Sequence, residues 1–115
     1  MHTHKLQNYL RTHRKRAGLS QDEVAFLLGC QSGTKVSRHE RFGRNPSLET
    51  TFAYEVVFGT PARELFAGIF QKVELRTLRR AQLLVERLSQ TKEDRRSVQK
   101  LEILKRITSE RENLF

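Results

Sequence analysis

Apolar residues recur every three or four positions along most of this chain, with polar residues between them. This spacing places the apolar side chains on one face of an α-helix. A first helix is predicted over residues 5–16, where Leu6, Tyr9 and Leu10 share a face, and Gly18 follows as its end. No run alternates apolar and polar residues for long enough to indicate a strand. The sequence therefore predicts an all-α protein.

Two short helices follow, and the turn between them is the most informative part of the sequence. Ser20 and Glu23 form a Ser-x-x-Glu capping box at the start of an amphipathic helix, and Gly29 is placed to end it. A third helix is predicted over residues 36–41, after small polar residues, with Val36 on its inner side. Two helices in this arrangement are typical of a helix-turn-helix, whose second helix fits the major groove of DNA.

A fourth helix is predicted to begin after a cap at Ser47, with Thr50 three residues later, and to run to Phe58. Its inward-facing residues are predicted to be Leu48, Phe52, Val56 and Val57. The core is expected to include Val24, Ala25, Val36, Leu48 and Phe52. Gly59-Thr60-Pro61 is expected to separate this helix from the next.

The last third of the chain predicts two longer helices. The first runs from residue 62 to about Gln90, and Gly68 is the residue most able to interrupt it. Its apolar arc comprises Phe66, Phe70, Val73, Leu78, Ala81, Leu84, Val85 and Leu88. The second follows a capping box of Thr91 and Asp94, and its apolar stripe comprises Leu101, Ile103, Leu104, Ile107 and Leu114. We expect a domain at residues 1–68 and a hairpin extension at residues 69–115.

The charge of the chain favours an acidic binding partner. The sequence has 22 Lys and Arg residues against 13 Asp and Glu, a formal net charge of +9. Such a balance favours a nucleic acid. Charge alone is equally compatible with a basic protein that binds none, so the helix-turn-helix pattern carries the interpretation. The arginines on the outer faces of the last two helices are interpreted mainly as solvated surface.

Other functional classes find little support in the sequence. Cys30 is the only cysteine, and the histidines lack metal-ligand spacing, so neither a disulfide, a metal nor a cofactor is expected. No apolar run approaches the roughly 20 residues that cross a bilayer, and no signal peptide is recognised, so we expect a cytoplasmic protein without a membrane partner. Phosphate-binding loops and catalytic motifs are missing, so we do not expect an enzyme.

Several motifs in order resemble the phage-repressor-like helix-turn-helix family, also called the Xre or Cro/C1 type, over residues 6–66. The motifs are Arg11-x-x-Arg14, Gly18-Leu19-Ser20-Gln21-x-Glu23-Val24-Ala25, Val36-Ser37-Arg38-x-Glu40-Arg41, Asn45-Pro46-Ser47-Leu48-Glu49 and Phe58-Gly59. The resemblance implies a five-helix lambda-repressor-like domain with a C-terminal two-helix extension. It also implies binding to operator DNA, usually as a dimer, with the third helix in the major groove.

The resemblance also implies roles for individual residues. The residues expected to contact base edges are Ser32, Thr34, Lys35 and Arg38. The residues expected to contact phosphates are Gln21, Ser37, Arg41 and Arg44. Arg38 is the strongest base-reading candidate, because an arginine can bond guanine O6 and N7 together. Six residues separate Gly29 from Val36, one more than is usual in the family, so the register of these contacts is open. Gly33 is expected to accommodate the extra residue by adopting an unusual backbone conformation.

Three further residues are expected to serve the fold rather than the DNA. In the family, the residues matching Arg14 and Glu40 form a buried ion pair that ties the first helix to the third, so neither is included among the DNA contacts. His39 is interpreted as a half-buried packing residue.

The favoured function is that of a sequence-specific DNA-binding transcriptional regulator of bacterial or phage type. A homodimer on double-stranded DNA is expected to form through residues 69–114, with Leu84, Leu88, Leu104 and Ile107 near the centre of the interface. The alternative is an antitoxin or adaptor that binds a protein partner through the C-terminal helices. RNA binding is a third reading, which the lack of stacking aromatics on a polar surface weakens.

Overall fold

A computed structural model describes residues 5–90 and 95–112, with side chains over residues 5–90 and 96–109. Within these ranges all regular structure is helical. The helices are α1 (Leu10–Ala17), α2 (Gln21–Leu28), α3 (Thr34–Glu40), α4 (Leu48–Phe58), α5 (Ala62–Leu65), α6 (Ala67–Ser89) and α7 (Arg95–Glu112). The chain divides into two compact units, Met1–Gln71 and Lys72–Phe115. The prediction of an all-α protein with an N-terminal helix-turn-helix is confirmed.

The ends of α1 and α2 are set by the residues that the sequence indicated. Gly18 and Gly29 both have positive φ angles, of 73° and 79°, and each follows the last turn of its helix. The amide of the next residue reaches back in each case, from Leu19 to the Arg14 carbonyl and from Cys30 to the Ala25 carbonyl. These bonds satisfy carbonyls that the helix end leaves unpaired. The capping box at Ser20 is also present.

The first helix begins at Leu10 rather than at residue 5. The Asn8 side-chain oxygen accepts from the Leu10 amide, while the Leu6 and Gln7 carbonyls accept from the amides of Gly68 and Ile69. The backbone before α1 therefore pairs with the start of α6 instead of continuing the helix. This approach is close, because a Cβ on Gly68 would collide with the Leu6 carbonyl.

The prediction for α4 is wrong about which face is buried. Leu48, Phe52 and Val56 are 70%, 53% and 81% exposed, whereas Tyr54 is completely buried. Apolar residues occur on all sides of this helix, so its sequence does not single out one inner face. The core selects Tyr54, whose ring packs near Phe58 and Phe66.

The core of the first unit is formed by residues from α1 to α5 and by Phe66. Its buried residues are Leu10, Val24, Ala25, Val36, Tyr54, Leu65 and Phe66. Of the five predicted core residues, Val24, Ala25 and Val36 are buried, and Leu48 and Phe52 are not. The interruption after α5 falls at Phe66 rather than at Gly68, because Phe66 leaves helical geometry between α5 and α6.

In the second unit the buried described residues are Ala81, Ser97 and Leu104. Leu78, Val85 and Leu88 of α6 and Leu101 and Ile107 of α7 are half-buried. Ile103 was predicted to lie on the apolar stripe, but it is 55% exposed. The expected cap at Thr91 and Asp94 and the expected apolar residue Leu114 lie outside the described residues.

Candidate nucleic-acid interface

Helix α3 has two distinct faces. Val36, His39 and Glu40 are buried on one of them. The opposite face carries side chains that are exposed or half-buried, namely Thr34, Lys35, Ser37 and Arg38, followed by Arg41 at the end of the helix. Because residues three and four apart share a side of a helix, Thr34, Ser37, Arg38 and Arg41 form one continuous polar surface. That surface combines two hydroxyl groups with two guanidinium groups, and Lys35 adds an exposed ammonium group on the same helix.

The buried face of α3 is fixed to α1 by an ion pair. Arg14 Nε lies 2.6 Å from Glu40 Oε2, and Arg14 Nη2 donates to Glu40 Oε1 at 3.2 Å. Only 13% and 3% of these two side chains are exposed. The hydrogen bond with Glu40 raises the pKa of Arg14, so the guanidinium stays charged. Arg14 also donates to the Leu19 carbonyl at the end of α1. The pair therefore joins three parts of the helix-turn-helix unit.

The turn before α3 is tied to α2 through Gly33. Its amide donates to Asp22 Oδ1 at 2.8 Å. A Cβ on Gly33 would lie 2.7 Å from the same oxygen and 3.0 Å from the Gln21 carbonyl carbon. The Gly33 φ angle is −70°, which any residue adopts, so the expectation of an unusual conformation is wrong. Glycine is needed here because the turn approaches the α2 backbone closely.

The end of α3 is anchored by His39, which is 5% exposed and more buried than expected. His39 Nδ1 and the Tyr54 hydroxyl lie 2.8 Å apart, and the Asn8 side-chain amide donates to the His39 carbonyl. Burial, followed by the nearby charges of Arg44 and Lys35, lowers the pKa of His39. The ring is therefore neutral at pH 7. Burial, with a smaller effect of Glu40, raises the pKa of Tyr54 well above its usual value.

An open cleft of about 720 Å³ lies on the α2 side of the exposed α3 face. It is lined by Arg14, Ser20, Gln21, Asp22, Ser32, Gly33, Thr34, Ser37 and Arg41. The cleft therefore meets the N-terminus of α2, where backbone amides point outward and the helix dipole favours an anion. The Gln21 side-chain amide donates to Glu40 Oε1 at 3.1 Å, so the ion pair orients this side chain at the edge of the cleft.

A second cleft, of about 300 Å³, lies on the α4 side of α3. It is lined by Cys30, Lys35, Arg38, His39, Arg44, Asn45, Pro46, Ser47 and Thr50. Three of these residues are cationic, and Ser47 caps the N-terminus of α4 by accepting from the Thr50 amide. The two clefts therefore place a helix N-terminus on each side of the exposed α3 surface.

The structure brings all eight expected contact residues to these two clefts. Ser32, Thr34, Ser37, Gln21 and Arg41 line the first, and Lys35, Arg38 and Arg44 line the second. The Ser32 hydroxyl is also used locally, because it lies 3.2 Å from Thr34 Oγ1 at the start of α3. The contacts of these eight residues with bases or phosphates remain predictions.

A family model described as a helix-turn-helix domain matches residues 6–65, just over half of the chain. The chain belongs to this helix-turn-helix family. Neither the comparison with curated proteins nor that with solved structures gives a significant match. Membership of the helix-turn-helix family indicates a DNA-binding protein, and such families are typically not enzymatic.

Part of this helix-turn-helix site is not expected from the sequence. Asp22 holds the turn. Asn45 and Ser47 line a cleft together with residues of α3. The signal for Ser47 was already in its cap motif, because a cap marks a helix N-terminus and therefore a place that attracts anions. Asp22 carries no comparable signal, since its contact depends on where the turn folds.

The described residues contain no group of three or more His, Cys, Asp or Glu residues arranged to hold a metal ion. No helix in the described ranges is both long enough and apolar enough to cross a membrane.

Proposed function

We propose that the protein is a sequence-specific regulator that binds double-stranded DNA with α3 in the major groove. The observation that carries this proposal is the exposed polar face of α3 between the N-termini of α2 and α4. A helix that enters the major groove needs donors and acceptors on its outer side and phosphate-binding groups on both flanks. The net charge of +9 adds a favourable interaction with any nucleic acid.

Base reading is assigned to the centre of this face. Arg38 is exposed, and its guanidinium group is suited to a bidentate contact with guanine. Lys35 and Thr34 are exposed on the same helix, and Ser32 lies at its start. These four residues offer donors to acceptor-rich base edges, whereas the hydroxyl groups of Thr34 and Ser32 can also accept.

Phosphate binding is assigned to the two flanks. On the α2 side it involves Gln21, Ser37 and Arg41, together with the first amides of α2. On the α4 side it involves Arg44 next to the capped start of α4. Such contacts position the protein on the duplex without selecting its sequence, and they weaken as salt is added.

We further propose that the protein acts in the cytoplasm on a bacterial or phage gene and reads a palindrome as a homodimer. Two copies are needed because one short recognition helix covers few bases. The expected interface in residues 69–114 stays a prediction, to which Leu104 offers little surface because it is 7% exposed within its own chain.

Selection of bound duplexes from a random pool tests the proposal. We expect enrichment of a palindrome whose half-sites lie about 34–36 Å apart, which is one helical turn. Repeating the selection with the Arg38→Ala variant should remove preference at one position in each half-site. A control variant, Arg63→Ala, changes an exposed arginine on α5 and should select the wild-type site. Absence of any enriched sequence at moderate salt, or preferential retention of RNA in a parallel pool, contradicts the proposal.

A further inference from the structure

The second unit contains a groove between α6 and α7, outside the proposed DNA-binding surface. Its volume is about 420 Å³. It is lined by Thr77, Arg80, Ala81, Leu83, Leu84, Arg87, Leu104 and Ile107. Ala81 and Leu104 are buried at its base, while Leu83 and Leu84 are 47% and 41% exposed. The groove is therefore a depression of mixed lining that remains open to solvent in the second unit, with Ala81 and Leu104 at its base and Thr77, Arg80 and Arg87 among its polar lining residues.

Two arginines line the α6 side of this groove. Arg80 and Arg87 lie seven residues apart on α6, so they share a face and are separated by about 10 Å along the helix. Both side chains are exposed, and within the described residues neither has an ion-pair partner. Leu83 and Leu84 lie between them. The surface thus has two partly exposed leucines flanked by two guanidinium groups, neither of which is ion-paired within the part of the chain that the structure describes.

This charge pattern disfavours a second copy of the chain as the occupant. In a twofold-symmetric pair of such grooves, Arg80 of one copy would face Arg87 of the other. Residues 72–115 contain twelve Lys and Arg against seven Asp and Glu, so the wider surroundings would repel as well. Like charges brought together at an interface oppose association. The groove therefore calls for an occupant of opposite charge, and the proposed homodimer would then form through parts of residues 69–114 other than Leu84 and Ile107.

We propose that this groove binds an acidic amphipathic helix of a partner protein. Leucine-type side chains of that helix would pack on Leu83, Leu84 and Ile107, and its Asp or Glu residues would pair with Arg80 and Arg87. Arginine forms two parallel hydrogen bonds to a carboxylate, which fixes the register of the helix in the groove. The apolar floor distinguishes this surface from a phosphate-binding one, since nucleic-acid backbones offer nothing to cover it. The chain would thereby link a protein partner to the DNA that its first unit binds.

The test uses the full chain and a fluorescein-labelled peptide of about four helical turns, with leucine on one face and glutamate on both flanks. We expect saturable binding by fluorescence anisotropy. The double variant Arg80→Glu with Arg87→Glu should weaken binding at least about tenfold. The control Arg76→Glu with Arg79→Glu makes the same charge change on exposed α6 residues outside the groove, and it should bind nearly as the wild type does. A peptide with lysine in place of glutamate should bind the first double variant better than the wild type.

The contribution of the leucines is tested separately with Leu84→Asn, which should weaken peptide binding while the circular dichroism of the chain is unchanged. Equal losses in both arginine double variants would show general charge attraction and overturn the proposal. It would also be overturned if the peptide failed to bind. If Leu84→Asn converted a sedimenting dimer to a monomer, the occupant would be a second copy. If duplex DNA displaced the peptide from the wild type, and Leu84→Asn weakened the binding of that DNA, the occupant would be nucleic acid.

Discussion

The two units of this protein differ in how their helices are held. In the first unit, buried polar groups are matched by specific partners: Glu40 with Arg14, His39 with Tyr54, and the Gly33 amide with Asp22. In the second unit, an apolar seam along α6 and α7 provides the described packing, and most of the side chains along both helices are exposed.

This difference corresponds to two ways of making a binding surface. A reading helix must hold its side chains in a fixed register against base edges, and directional contacts at both of its ends supply that precision. A groove that receives an amphipathic helix needs mainly apolar area and complementary charge, which tolerate small shifts. We therefore expect substitutions at the polar contacts of the first unit to change stability strongly.

The largest effect is expected from Glu40→Gln. The change leaves the Arg14 guanidinium buried without its carboxylate partner, which typically costs about 3–5 kcal/mol. Both tyrosines of the chain, Tyr9 and Tyr54, lie in the first unit, so tyrosine fluorescence during urea unfolding reports that unit. Glu49→Gln removes an exposed carboxylate from α4 and serves as the control. Equal stability of the two variants would mean that the ion pair does not hold α3.

A smaller loss is expected from Gly33→Ala. The added methyl group would lie 2.7 Å from Asp22 Oδ1 and 3.0 Å from the α2 backbone, and such overpacking costs about 1–3 kcal/mol. Gly43→Ala is the matched control, because its Cβ would meet only the Arg38 carbonyl oxygen, at 3.6 Å. The same urea unfolding measurement separates them. A Gly33→Ala protein as stable as Gly43→Ala would show that the turn has room to move.

The smallest change in the free energy of unfolding is expected when the pH is lowered from 7 toward the lowered pKa of His39. Because the folded state holds His39 neutral, the unfolded chain binds more protons below its ordinary pKa near 6.5. The free energy of unfolding should therefore fall as the pH drops through that value. His39→Asn should flatten this dependence, and His13→Gln should retain it. An unchanged slope in His39→Asn would assign the dependence to other groups.

Features that depend on local sequence pattern could be predicted, whereas features that depend on contacts between distant residues could not. The faces of α3 are assigned correctly because Val36 marks the inner one and the family resemblance places the polar residues His39 and Glu40 on it. Those of α4 are not, because Leu48, Phe52 and Val56 are as apolar as the residues that the core selects. Local pattern also extends α1 too far, since the pairing of Leu6 with Gly68 is a contact between distant residues.

The helix-turn-helix site was likewise predicted only in part. The Arg14–Glu40 pair was expected from resemblance, not from spacing, and the structure confirms it. Glycine at position 33 was expected to adopt an unusual backbone conformation. The structure shows instead that glycine is needed because the turn lies close to the α2 backbone, a contact that the neighbouring sequence does not indicate. The cap at Ser47 was predicted, whereas its place on the same cleft as Lys35 and Arg38 of α3 required the fold.

The central claim is that the exposed face of α3 reads base sequence, and the most direct test is the discrimination of Arg38→Ala between the selected site and its single-base variants. The account predicts a loss of about 1–3 kcal/mol of discrimination at one position in each half-site. Arg41→Ala should instead weaken binding to all sequences alike and reduce the salt slope by roughly one unit. If Arg38→Ala lowers affinity for specific and non-specific DNA equally, Arg38 contacts the backbone, and the proposed reading face is wrong.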